Sequence, residues 1–533
     1  MRWTWGLALA LALGGCARCT GRGARKNAEE LLGPEATFVV SAPDLGRLAD
    51  GCQALLATAR GGAGGAELVA MSANLARQLG FDPLTREGLK AAGIEPDASL
   101  ALEGSAVGNA GGLVAVPFAN QKLLETTVRR LAKDHAGAGV EQVQTVGGQR
   151  ITTLARAPGA QPLFAYAARN GYLLVGVGAG AAGRVAQALA RKPADSIARA
   201  PLFASARQKV GPRELYLYLP KSGSRRLKII PDVLAAGLSV SAKELAVRAY
   251  LALPEAHQQA VAAALVGGGA EELERLPKGA PFYLRGGVDW QALVERVADS
   301  ADGKAQLAQA RESAKEAGFD LDSEFYGNLA APFALAVGLS SNVNLSTAFD
   351  FDPRRANPFR AYSLVALAQV KDGAKAAKTL GKLEGTLQKL GLTVTTEEVG
   401  GATVYTSRSG LGDGLSWTLH GHDLVLAGGL GDQLAATLQA VESNQEALAP
   451  ADFAPQAKAA LFGRPGLAGA VDFQQLGDTV KKLPNDAFGT GPSAFMARSM
   501  VTGVVEPLSR LKLVAAVAPT PGGITLDLSV ATK

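Results

Sequence analysis

A chain of 533 residues is too long for one hydrophobic core and long enough for two domains of ordinary size. Its net charge of +6 and pI near 9.1 come from well-mixed charges, and the densest cationic patch, Lys221, Arg225, Arg226 and Lys228, lacks interleaved aromatics to stack bases, which argues against nucleic acid as a partner. Alanine inflates the 47% hydrophobic fraction and the mean hydropathy of +0.11, and the uncharged run 329–349 carries Pro332, Ser340, Ser341, Asn342 and Asn344, which a lipid-facing helix does not tolerate.

The chain opens on Met1-Arg2, an apolar stretch from Trp3 to Leu13, and then Leu13-Gly14-Gly15-Cys16. This is the order of a secretory signal, and about eleven apolar residues are roughly half of a bilayer span. Leu-Gly-Gly-Cys resembles a bacterial lipobox, which implies removal of residues 1–15 and lipid on Cys16. An uncleaved anchor and a cleaved, unlipidated signal are the alternatives. Each acyl methylene buried in a leaflet adds about 0.8 kcal/mol. Ala17, rather than Asp, follows the cysteine and favours the outer membrane by the enteric sorting rule. Residues 16–33, with Gly21, Gly23, Arg18, Arg22, Arg25 and Lys26, are expected to form a flexible tether. Of the three cysteines, Cys19 and Cys52 are then left free to pair in an oxidising periplasm.

The body reads as two copies of one unit, 34–270 and 271–533, offset by about 240–250 residues. Pro34 to Val40 answers Pro277 to Leu284, each a strand leading to a helix that begins at Asp44 or Asp289. Helical regions end at Leu79-Gly80-Phe81-Asp82 and Ala317-Gly318-Phe319-Asp320, where Gly takes the left-handed cap and Asp caps the next helix. Val146-Gly147-Gly148 matches Val399-Gly400-Gly401, and hairpins follow around Asn170-Gly171 and His420-Gly421-His422-Asp423. Helices are expected over 184–191 and 433–441, then the steps Ala200-Pro201-Leu202-Phe203 and Pro450-Ala451-Asp452-Phe453. Short strands follow at 215–219 and 469–473. Each copy closes with paired strands, 238–240 with 245–253 and 511–517 with 524–530. Meanders without regular strand–helix alternation give an α+β fold, each repeat an antiparallel sheet with helices on one face. An insertion near Asn342 to Arg360 is the candidate functional loop.

The exported N-terminus, the Pro-x-Ala-x-Phe opening, the glycine-then-hairpin segment and the Pro-Leu-Phe-like step resemble a broad family of bacterial envelope proteins known only as a domain of unknown function. The resemblance covers about 34–531 and implies no catalytic residues.

Gly178-Ala179-Gly180-Ala181-Ala182-Gly183 is a literal G-x-G-x-x-G, but it follows the second arm of a hairpin and not the first strand of a βαβ unit. The matching turn, Ala427 to Asp432, lacks the pattern, so a tight strand-to-helix turn explains both. His420 and His422 could present two nitrogens on one side of a strand, but His135 and His257 lie elsewhere in the repeat; no metal is expected. Asp320-Leu321-Asp322-Ser323-Glu324 starts like a calcium loop, yet Phe325 and Ala331 stand where glycine and glutamate are required. No cofactor is expected. With no converging polar cluster, the leading expectation is a non-catalytic envelope lipoprotein that binds a protein or polymer partner. A carrier of lipid or another apolar ligand is the first alternative, and an enzyme of unrecognised type the second.

Overall fold

The computed structural model describes residues 27–59, 65–105, 111–221, 231–297, 301–316, 318–339, 362–389, 393–399, 401–409, 412–429, 448–453, 455–463, 466–483, 485–488, 498–499, 502 and 508–532. Cys16, Cys19, the 433–441 helix and the 342–360 insertion lie outside the described residues, as do Arg225, Arg226 and Lys228.

Runs rich in Val, Leu and aromatic residues pair antiparallel throughout, as expected for a mixed α+β chain. The chain divides into two compact units, one reaching Pro254 and including Gly522–Leu526, the other formed by the residues between and after them. In unit 1 the strands are β1 (Phe38–Ala42), β2 (Leu100–Ser105), β3 (Gly111–Pro117), β4 (Val140–Val146) and β5 (Gln149–Ala155). They continue with β6 (Phe164–Arg169), β7 (Tyr172–Gly178), β8 (Leu215–Pro220), β9 (Val233–Val240) and β10 (Glu244–Ala252). Their spatial order is β4-β5-β6-β7-β3-β2-β1-β8-β9-β10.

Unit 2 carries β11 (Phe282–Gly287), β12 (Leu329–Leu339), β13 (Tyr362–Val370), β14 (Thr393–Val399) and β15 (Ala402–Ser409). It continues with β16 (Gly412–His420), β17 (Asp423–Gly428), β18 (Leu467–Asp472), β19 (Leu511–Thr520) and β20 (Gly523–Thr532), the first residues of which, to Leu526, group with unit 1. The order is β14-β15-β16-β17-β13-β12-β11-β18-β19-β20, which is the order of unit 1 step for step.

Local chemistry sets the turns. Asn170 (φ 52°) and Gly171 (φ 85°) form the primed turn that joins β6 to β7, since both central residues need positive φ. Gly80 (φ 69°) ends the helix Gly65–Leu79 as expected. The next helix, Arg86–Ala91, is capped by Thr85 and not by Asp82, because Asp82 turns its carboxylate onto the Leu84 amide at 2.9 Å.

Three expectations need correction. Helices in unit 1 cover both faces of the sheet, not one. Leu124, Val128 and Leu131 of the helix Gln121–Ala136 pack on Leu102, Val114 and Val175. On the other face Val185 and Phe203, from the helices Ala181–Ala190 and Pro201–Val210, pack on Ala115, Leu174 and Tyr218. Strands β3 and β7 are therefore apolar almost throughout rather than alternating. Second, residues 27–33, placed by sequence in the tether, belong to unit 1. Ala28–Leu31 form a short 3-10 turn, and Leu31 (2% exposed) and Leu32 (0%) enter its core, each burial worth about 1.5–3 kcal/mol. Third, the units part after Pro254 rather than at 270, because the helix Glu255–Ala264 leads into Val266, whose amide donates to Gly287 of β11.

Candidate functional site

Register decides where rings and charges meet. In unit 1, Val39 of β1 stands opposite Tyr218 of β8, and Ser41 opposite Tyr216. In unit 2 the same pairing sets Tyr283 opposite Ala470 and Arg285 opposite Ala468. At both positions the large side chain stands on the opposite strand of the pair in the two units. Tyr218 meets Phe203 edge to face at 5.0 Å; Tyr283 meets Phe453 edge to face at 5.5 Å.

At the second position a helix end is satisfied in both units. The Tyr216 hydroxyl donates to the Gly211 carbonyl at 2.5 Å, at the C-terminus of the helix Pro201–Val210. Arg285 does the corresponding work for the helix Pro455–Gly463. Its guanidinium, 1% exposed, donates to the carbonyls of Leu461 (2.7 Å), Ala460 (2.8 Å), Gly466 and Gly268 (both 3.0 Å). Burial pulls this guanidinium below its usual value, while the carbonyl ends of the helix attract its charge.

With alanine at 470, a pocket of about 230 Å³ opens in unit 2. Its walls are Tyr283, Phe453, Ala457, Ala470 and Val514. Lys278 and Asp452 pair across the lip at 3.3 Å, and Lys512 and Asp472 at 2.7 Å, all four partly exposed. Asp472 also caps the helix Phe473–Lys482, accepting from the Gln474 and Gln475 amides at 3.0 and 3.2 Å, so its carboxylate is fixed in place. The Tyr283 hydroxyl accepts from the Ala280 amide and donates to the Pro277 carbonyl, both at 3.1 Å. Burial pushes it up to about 12, so it stays protonated and serves as a wall rather than a base. The pocket thus offers two fixed charge pairs above an apolar, aromatic interior.

The residues singled out by sequence lie elsewhere. Cys52 sits on the helix Leu45–Ala59, half-buried near Leu48 and Val240, and burial pushes its thiol up to about 11. His422 lies in the β16–β17 turn with Nδ1 at 3.0 Å from the Val370 carbonyl, and His420 ends β16 opposite Asp423. His135 contacts the Gln78 carbonyl at 2.8 Å through Nε2, and His257 lies exposed on the helix Glu255–Ala264. Among the described residues no three His, Cys, Asp or Glu side chains converge as metal ligands. Asp320 caps the turn Leu321–Phe325 by accepting from the Ser323 amide at 2.6 Å. In the glycine-rich turn, Gly180 (φ 76°) caps the helix, and Arg184 folds back to donate to the Val177 and Ala179 carbonyls at 2.7 and 2.6 Å. The turn is braced from within the protein.

Two local signals bear on this site, and one corrects the expectation that the chain holds no Ser-x-x-Lys motif. Ser509 and Lys512 have the Ser-x-x-Lys spacing that on a helix shares one face. Here β19 begins at Leu511, so side chains alternate between faces, and Lys512 is held by Asp472. The pocket residues come from distant parts of the chain, and one local signal existed. In the aligned Pro-Leu-Phe step, Leu202, 59% exposed, is answered by Asp452.

No curated protein matches the chain. Among solved structures, crystal form III of TP0453 matches at 10% identity with a TM-score of 0.25, covering 46% of this chain and 89% of that one. Crystal form IV matches at the same identity and score, covering 44% and 84%. A sequence profile described as a protein of unknown function (DUF3352) matches residues 89–462, most of the chain, and the protein therefore belongs to the DUF3352 family.

Proposed function

We propose that this protein is an exported lipoprotein of the bacterial envelope, held at the outer membrane through lipid on Cys16, and that it works by binding rather than catalysis. The observation that carries the binding reading is the unit 2 pocket, whose charged lip groups are already neutralised in Lys278–Asp452 and Lys512–Asp472. Groups held that way recognise a ligand's charges and leave no unpaired acid or base aimed at a reacting atom. The shared strand order supports descent of both units from one duplicated ancestor, with unit 2 opened for binding where unit 1 is filled by tyrosines. The first test is Cys16→Ser followed by fractionation and palmitate labelling. Label and membrane attachment should both vanish, and retention of attachment would remove the anchoring proposal.

A second reading, carriage of an apolar ligand, is favoured by one face of the unit 2 sheet. There Phe282, Leu284, Leu335, Val337, Leu364 and Leu513 are only half-buried. The corresponding face of unit 1 is closed, with Val40, Leu102 and Val114 buried. Native mass spectrometry of gently extracted protein separates the two readings: co-purifying lipid supports the carrier, and its absence supports the pocket.

A further inference from the structure

We propose that the unit 2 pocket binds a small zwitterion bearing an apolar or aromatic side group, of the size and chemistry of a free apolar amino acid. The proposal rests on the binding reading above and names the ligand class.

Size sets the first limit. A cavity of about 150 Å³ holds benzene, and this pocket measures about 230 Å³, which leaves room for one ring or branched chain plus a few polar atoms. Wall chemistry sets the second. Tyr283 and Phe453 already stand edge to face, and a ligand ring or branched chain entering beside them meets aromatic surface, with Ala457, Ala470 and Val514 completing an apolar interior. A ligand's apolar group displaces water from these walls, while its polar end meets the charged and amide groups at the rim.

Charge at the lip sets the third limit and selects the class. A ligand with one charge draws one ion away from its partner, leaving an Asp or a Lys uncompensated, at a partly buried position for Lys512–Asp472 and an exposed one for Lys278–Asp452. A zwitterion presents both signs together. Its carboxylate can meet Lys278 or Lys512 while its ammonium meets Asp452 or Asp472, so every charge stays paired and net charge at the site is unchanged. The Gln475 amide, on the same helix that Asp472 caps, adds a neutral donor and acceptor at the rim.

The test is titration calorimetry of the full chain with four probes: phenylalanine (zwitterion), phenylalanine amide (cation), N-acetylphenylalanine (anion) and benzyl alcohol (neutral). Phenylalanine should bind at least tenfold tighter than any of the other three. Whichever of Lys278→Gln and Lys512→Gln removes the partner of the ligand carboxylate should weaken it at least tenfold, with melting temperature unchanged as the check that the fold persists. Equal affinity for a singly charged probe, or unchanged affinity in both variants, overturns the proposal. Tight binding of benzyl alcohol overturns the zwitterion and leaves a binding protein standing. If none of the four probes binds, the proposal falls, and the binding reading falls with it only if pull-downs from envelope extract are also identical for native protein and the Lys278→Gln variant.

Discussion

Units 1 and 2 share a strand order but place the bulk of their cores on opposite partners of the same strand pair. Unit 1 puts its rings on β8, as Tyr216 and Tyr218, against the small Ser41 and modest Val39 of β1. Unit 2 puts the bulk on β11, as Arg285 and Tyr283, against Ala468 and Ala470 of β18. The aromatic contact with the adjoining helical segment survives the exchange, and so does the satisfaction of a helix C-terminus. Volume and hydrogen bonding at these sites are therefore properties of the cross-strand pair and not of either position. Filling is not conserved to the same degree, since unit 2 retains a pocket beside the exchanged ring.

The sharpest way to break this comparison is Arg285→Met. It leaves the carbonyls of Ala460, Leu461 and Gly466 without their buried donor, and unit 2 should lose about 3–5 kcal/mol in urea unfolding. Exchanging the pair in unit 1 comes next. Tyr218→Ala alone should cost about 3–4 kcal/mol, by analogy with other large-to-small core changes. The double change Val39→Tyr with Tyr218→Ala should recover about 1–2 kcal/mol of that loss, read as a coupling energy in a double-mutant cycle. Strict additivity of the two changes would mean that the cross-strand pair is not the unit of exchange.

Glu103 offers a smaller effect with a definite sign. Its carboxyl accepts from the Gly33 amide at 2.5 Å, and burial, opposed by that hydrogen bond and by Arg191 and Arg184, pushes it up to about 7. The folded state thus holds a proton that the unfolded chain releases near 4.5, so this contribution to stability is whole below about pH 4.5 and is lost as pH rises through about 7. Glu103→Gln keeps an acceptor for Gly33 without the charge. The stability of the variant relative to the native protein should rise by about 3 kcal/mol between pH 4.5 and 8, and a pH-independent difference would refute the assignment. Smallest is Tyr216→Phe, which removes the hydrogen bond to the Gly211 carbonyl and the one accepted from the Arg213 amide, and should cost about 1–2 kcal/mol, below the loss for Arg285→Met.

What the sequence disclosed followed from local chemistry. Asn170-Gly171, the opening strand at Phe38 and the glycine at 80 each carry their instruction in two or three residues, and each stands where expected. Strands β2, β3, β12 and β13 carry no local signal, because burial on both faces, or a run such as Leu329–Leu339, removes the alternation that marks a strand. Missing β2 also hid the role of residues 27–33, since Ser99 accepts from the Ala28 amide at 2.9 Å and Glu103 from that of Gly33. The pocket was illegible for the same reason at longer range. Lys278, Asp452, Asp472 and Lys512 are spread over more than two hundred positions and meet only because β18 lies between β11 and β19.

The position of Asn27, ahead of the turn Ala28–Leu31, bears on how far the body can stand from a lipid surface. With the proposed anchor at Cys16, eleven peptide steps remain, a leash of at most about 40 Å, close to the full thickness of a bilayer with its headgroups. A pull from the membrane would arrive first at Leu31 and Leu32, whose seating in the core makes the attachment point the part of unit 1 where mechanical load and folding stability are joined.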